Sequence, residues 1–308
     1  MTKHKLAITR KNTHCSLMLM LTVGLLVVTV CLLTACHRVE KPLTHSGNAV
    51  YYWRTTFSLD SMESAFFSTY RVKRIYCRYF DVVMDASQGP MPNATLQFAQ
   101  KRPDSVELVP VVFIMNDCMQ RPHEGLARKL VGRIVQMNET NDVTGVSELQ
   151  IDCDYTARNR DIYYDFLQEV QREAAAHGLT VSTTIRLHQL SMPPPPVSYG
   201  VLMLYNTGAP ERFAERNPIL DLRDVKPYLP YLKDYELPLA AAYPVFRWER
   251  NIRGALISHV ADYNDIVRVK RLVEAERSDL KKLILTYHLD SENVKRYTTK
   301  QYETIYHH

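Results

Sequence analysis

Two hydrophobic patterns divide the chain. From residue 16 to residue 35 no side chain is charged, and Leu, Val and Met dominate. Beyond residue 48, short apolar runs alternate with stretches of helical spacing. Residues 49–54 (AVYYWR), 74–83 (RIYCRYFDVV), 106–115 (VELVPVVFIM) and 147–155 (SELQIDCDY) read as strands. So do 179–187 (LTVSTTIRL), 199–205 (YGVLMLY) and 283–289 (LILTYHL), and 237–248 (LPLAAAYPVFRW) contains one more. Helical spacing predicts helices over 59–70, 124–138 and 161–177, the last closed by Gly178. Short helical turns are expected over 224–234, with Pro227 and Pro230. Longer helices are expected over 262–282 and in the tail from Ser291. Residues 192–197 (MPPPPV) form a stiff polyproline connector.

Strands alternating with helices imply βαβ units and a parallel sheet. Several runs are apolar throughout, as strands buried on both faces must be. Eight of them after residue 48 predict an α/β fold, a (β/α)8 TIM barrel forming one domain over residues 49–308. The alternative is a doubly wound open sheet. Its usual Gly-rich phosphate loop is missing, and the chain holds only 10 Gly. No zinc-ligand spacing occurs either, so no metal or other cofactor is expected.

Composition sharpens this picture at the N-terminus. The chain has 308 residues, 46% hydrophobic, with 38 Lys+Arg against 33 Asp+Glu and a formal charge of +5. Disordered and collagen-like classes are excluded. The net charge first suggests an acidic partner such as nucleic acid. Four of the bases, however, are Lys3, Lys5, Arg10 and Lys11, ahead of the uncharged run. A basic segment followed by an apolar one is the pattern of a secretory signal. It ends in Leu33-Thr34-Ala35-Cys36, which resembles the lipobox of bacterial lipoproteins. On that reading residues 1–35 are a signal peptide. Cys36 is lipidated, residues 36–48 are a tether, and the domain sits outside the cytoplasm, anchored in the cell envelope at the outer membrane. An uncleaved anchor helix is the competing reading, since about 20 apolar residues span a bilayer. Taking four from 38 leaves 34 bases against 33 acids over the remaining 273 residues, which removes the reason to expect nucleic acid. Cys77, Cys118 and Cys153 remain, an odd number, and read as small buried residues, with one disulfide pair as the alternative. The run Arg268, Lys270, Arg271 reads as the solvated face of a helix.

In a barrel, chemistry gathers at the C-terminal ends of the strands. The predicted ends carry Trp53-Arg54, Asp81, Asn116-Asp117, Asp152 and Asp154, and Arg186 and His188. The later ones carry Tyr205-Asn206, Arg247-Trp248-Glu249, and His288 with Asp290. Together they describe a polar mouth with Trp and Tyr walls, suited to carbohydrate. Within Gln150-Ile151-Asp152-Cys153-Asp154-Tyr155, a period of two places Gln150, Asp152 and Asp154 on one face. Adjacent carboxylates repel, which raises one pKa and suits acid/base work. The structural alternative is a hydrogen-bonded network answered by Arg78 or Arg186. Asp290 would then pair with Arg186 or close a rim salt bridge. Trp53 and Trp248 read equally as core or as stacking platforms.

Ile151-Asp152-Cys153-Asp154-Tyr155-Thr156 resembles the strand-four signature of family 18 glycoside hydrolases, the chitinase-like TIM barrels, Ile-Asp-x-Asp-aromatic-Glu. Met203-Leu204-Tyr205-Asn206 resembles their strand-six segment, and Trp248 falls near their strand-seven Trp. More broadly the chain resembles a group of Bacteroidetes lipoproteins with glycosidase-like barrels. The resemblance implies that Asp152 and Asp154 match the first two acids and that Tyr205 supports a sugar N-acetyl group. The family's acid Glu is Thr156 here, and a threonine does not protonate a leaving group. Three functions follow. The first is glycan hydrolysis with Asp154 and Asp152 as catalytic residues and Gln150, Arg186, Tyr205, Asn206, Trp248 and Asp290 around the substrate. The second is glycan binding without cleavage. The third is a structural envelope lipoprotein.

Overall fold

The structure, a computed structural model, describes residues Leu43–His307. The signal, Cys36 and most of the tether lie outside the described residues. Among the described residues, no helix is long and apolar enough to cross a membrane. Eight parallel strands close into a barrel: β1 (Gly47–Tyr52), β2 (Val72–Asp85), β3 (Glu107–Ile114), β4 (Glu148–Cys153), β5 (Thr180–Ile185), β6 (Gly200–Met203), β7 (Leu239–Pro244) and β8 (Leu283–Tyr287). Closure is explicit in the pairing. Val50 of β1 lies beside Ile75 of β2 on one side and Thr286 of β8 on the other. Each predicted strand is found at its predicted place. No sheet edge remains between β1 and β8, so the open-sheet alternative falls.

The helices form where caps and apolar spacing coincide. In α1 (Ser61–Thr69), Asp60 accepts from the backbone N–H of Glu63, and the Glu63 carboxylate accepts from the Asp60 N–H. Helix α2 (Leu126–Thr140) buries Leu126, Leu130, Val131 and Ile134. Helix α3 (Arg160–Ala175) buries Tyr163, Phe166, Leu167 and Val170. It stops before Gly178, whose φ of +70° turns the chain so that the Leu179 N–H reaches the Ala174 carbonyl at 3.0 Å. Helix α4 (Tyr263–Glu276) is capped by the Asp262 carboxylate, and α5 (Thr299–Tyr306) by Thr298.

Three features depart from the sequence pattern. Two crossovers hold no α-helix. After β2, residues Gly89–Asn93 fold back antiparallel on its end. After β5, a single tight turn (Leu187–Ser191) leads into the prolines. An antiparallel ribbon, Arg247–Ile252 with Ala255–Val260, follows β7. Lys270 is not on a solvated face. It is 4% exposed, ion-paired with Glu274, and its ammonium lies 5.7 Å from the Tyr243 ring centroid. Its spacing from Ile266, four residues back, puts it on the buried side of α4, where the pairing offsets burial.

The barrel interior holds a polar cluster toward the N-terminal ends of its strands. Glu148 is fully buried. It accepts from Arg74 Nη1 (2.9 Å), Ser182 Oγ (2.6 Å) and the Tyr199 hydroxyl (2.6 Å), with His45 Nε2 at 3.5 Å. Burial raises its pKa, against the pull of these donors. Cys77, Cys118 and Cys153 are free and buried, and burial pushes the Cys118 thiol up to about 12.

Candidate functional site

At the end of β4 the two acids separate. Asp152 is 4% exposed, and its Oδ1 accepts from Thr184 Oγ1 at 2.6 Å and from Arg186 Nη1 at 3.1 Å. Asp154 projects from the rim, 55% exposed. Its Oδ1 lies 3.2 Å from Arg186 Nε and 3.6 Å from His188 Nε2. One guanidinium from the end of β5 thus bridges both carboxylates, and the repulsion expected from their spacing meets a cation. Burial opposes the charge on Arg186, but Asp152 and Asp154 outweigh it and its pKa rises. Arg78 is engaged elsewhere. Its Nε donates to Asp81 Oδ1 at 2.7 Å, and Asp81 lies within β2 rather than at its end.

Gln150 sits below this layer with no exposed surface. It accepts from the Tyr51 hydroxyl at 2.7 Å and donates to Ser182 Oγ at 3.3 Å. Its position therefore supports Tyr51 rather than facing the opening. Asp290 caps the short helix Ser291–Val294. It accepts from the Asn293 N–H at 2.8 Å and lies 3.6 Å from His288 Nδ1. It makes no pair with Arg186. Burial lowers the His288 pKa, while Asp290 opposes the shift.

The walls are aromatic. Tyr205 stacks on Tyr287, ring centroids 4.5 Å apart and planes 19° from parallel. Tyr287 in turn packs against Trp53 (5.6 Å), Tyr51 (5.7 Å) and Phe246 (5.6 Å). Arg78 lies over Trp53 at 5.6 Å. Trp53 and Tyr287 are half-buried. Burial holds the Tyr51, Tyr205 and Tyr287 phenols above their ordinary range, so they stay neutral donors. Beside them a cavity of about 170 Å³ is lined by Arg186, His188, Tyr205, Asn206, Thr207 and Tyr228, among others. Asn206 holds a left-handed φ of 51° there. Trp248 is not on β7. It stands on the ribbon, against Phe213 at 5.3 Å.

The structure thus brings Asp152, Asp154, Arg186, Tyr205 and Asn206 together, and sets Gln150 beneath them. Tyr287 and Phe246 join the site without having been singled out, and His188, named at the predicted end of the fifth strand, joins them. The first two lay inside apolar runs that read as core, and only their place at strand ends marked them. Thr156, at the position of the resemblance's acid, accepts from Arg158 N–H and spends its own hydroxyl on Asn159 Oδ1 at 3.1 Å.

Solved structures share this architecture. It matches the spore cortex-lytic enzyme SleL of Bacillus cereus at TM-score 0.53 and 14% identity, covering 84% of this chain and 73% of that one. It matches a chitinase of Chromobacterium violaceum at TM-score 0.53 and 12% identity, covering 83% and 98%. A class V chitinase of Pseudomonas fluorescens matches at TM-score 0.53 and 11% identity, covering 84% and 98%. The fold is that of the chitinase-like TIM barrels. No family model and no curated protein sequence matches the chain. Within the shared barrel, Asp152 and Asp154 occupy the end of the fourth strand and the aromatic walls surround them.

Proposed function

We propose that this chain is a lipid-anchored protein of the cell envelope whose barrel mouth binds glycan without cleaving it. The observation that carries the reading is the bridging of Asp152 and Asp154 by Arg186. Hydrolysis by a carboxyl pair needs an acid with a proton to give and a second carboxyl across the substrate. Asp154 instead faces a guanidinium and an imidazole. Asp81 is paired with Arg78, Glu63 with Arg54, and Asp290 is a helix cap. Thr156 supplies no acid. What remains available at the mouth is aromatic surface and donors, the equipment for holding a sugar ring.

The signal-like N-terminus and the Leu33-Thr34-Ala35-Cys36 segment support export and lipidation at Cys36. Binding assays on a glycan panel, with product analysis on the same samples, test the reading. Binding without released products is expected. Turnover abolished by Asp154→Asn would establish hydrolysis instead.

A further inference from the structure

We infer that the ribbon after β7 is an arginine clamp that selects glycans bearing carboxylate groups. This deepens the glycan-binding reading and rests on it. Arg250 is the main observation. Its guanidinium lies 5.5 Å from the Phe213 ring centroid and 5.8 Å from that of Trp248, and its Nη1 donates to the Pro210 carbonyl at 2.8 Å. Phe213 is fully buried, and His259 Nε2 lies 2.8 Å from its carbonyl oxygen, so the platform beneath Arg250 is fixed. Arg250 itself is exposed. A long, flexible cation is thus held in one place on the surface with fork nitrogens to spare. An arginine positioned in this way loses less freedom when it takes a planar anion, and a carboxylate matches its fork.

The rest of the ribbon agrees. Arg247, Arg250 and Arg253 fall within seven residues. The one acid among them, Glu249, is paired with Arg247 at 3.3 Å. Among the described residues, neither Arg250 nor Arg253 has an acidic partner. Arg253 forms the hairpin tip with Gly254, and both have left-handed φ, 52° and 82°. That turn favours Asn-Gly. An arginine there is a strained choice for the fold, and it places a cation at the tip. The ribbon is continuous with the mouth through Phe246, which packs on Tyr205 and Tyr287. The arginines of the floor are engaged by Asp81, Asp152 and Asp154, so selection for anionic sugar falls to the ribbon.

Oligogalacturonate and its fully methyl-esterified form test this directly, because the pair differs in charge and keeps the sugar backbone. Affinities are measured by calorimetry on the full-length mature protein, for the wild type, Arg250→Gln, Arg250→Lys and Lys233→Gln, a charge control outside the ribbon. The acid form is expected to bind about tenfold tighter than the ester. Arg250→Gln should erase that difference and leave ester affinity unchanged. Arg250→Lys should restore only part of it, and Lys233→Gln should change nothing. Equal binding of acid and ester by the wild type would overturn the clamp and leave glycan binding intact. So would equal losses in Arg250→Gln and Lys233→Gln. Binding of neither form would also overturn it, and the glycan panel then decides the broader reading separately. Circular dichroism of each variant separates loss of the clamp from loss of fold.

Discussion

Arg186 shows how one side chain decides between two chemistries. Its Nη1 reaches a buried carboxylate and its Nε an exposed one, so its two partners should respond very differently to mutation. Arg186→Met leaves Asp152 buried without a counter-ion. It should cost about 3–5 kcal/mol in chemical denaturation, because the lost partner strands a desolvated charge. Asp154→Asn removes an ion pair more than half exposed and should cost under about 1 kcal/mol. Similar losses for the two variants would show that the bridge is not the structural centre of the mouth. The i, i+2 spacing of Asp152 and Asp154 revealed their shared face. It did not reveal the cation between them, which comes from 34 residues further along the chain. Thr184 lies on β5 and Arg186 directly follows it, and only barrel register brings that strand beside β4.

Among the elements, several of the eight strands were legible because a barrel strand buried on both faces is a short apolar run, and the others because they alternate with stretches of helical spacing. The ribbon was not legible. Arg247–Ile252 and Ala255–Val260 have no fully buried residue, so neither carries the periodicity that marks a half-buried strand. The Arg253-Gly254 turn also lacks the usual Asn-Gly signal. Trp248 was therefore assigned to the strand before it. The missing crossover helix after β5 was visible in outline, since four consecutive prolines forbid a helix. Short β6 carries a constraint of its own. A methyl group on Gly200 would lie 2.6 Å from Ile185 Cγ1 and 3.1 Å from Leu237 and Leu239 Cδ2. Gly200→Ala should destabilise the fold by about 1–3 kcal/mol, measured as a lower denaturation midpoint. An unchanged midpoint would mean that β5 and β6 pack more loosely than described.

For the molecule as a whole, the buried Glu148 and the N-terminus make separate predictions. Glu148 has a raised folded-state pKa, so the native state keeps its proton where the unfolded chain has released it. Stability from this group is full below the unfolded value of about 4.5 and is lost as pH rises toward the folded value. Glu148→Gln should therefore flatten the fall in stability above pH 4.5, and an unchanged pH profile would contradict its placement among Arg74, Ser182 and Tyr199. Cys36→Ser should leave the precursor uncleaved and unlipidated, read as intact mass. Normal processing would contradict the lipoprotein reading. The central claim is that the mouth binds glycan and does not cut it. The most direct measurement is a glycan panel titrated with wild type, Trp53→Ala and Asp154→Asn, with products analysed in parallel. The account predicts binding by the wild type with no products, loss of about tenfold or more in Trp53→Ala, and binding retained in Asp154→Asn. Products released by the wild type and absent with Asp154→Asn would contradict it.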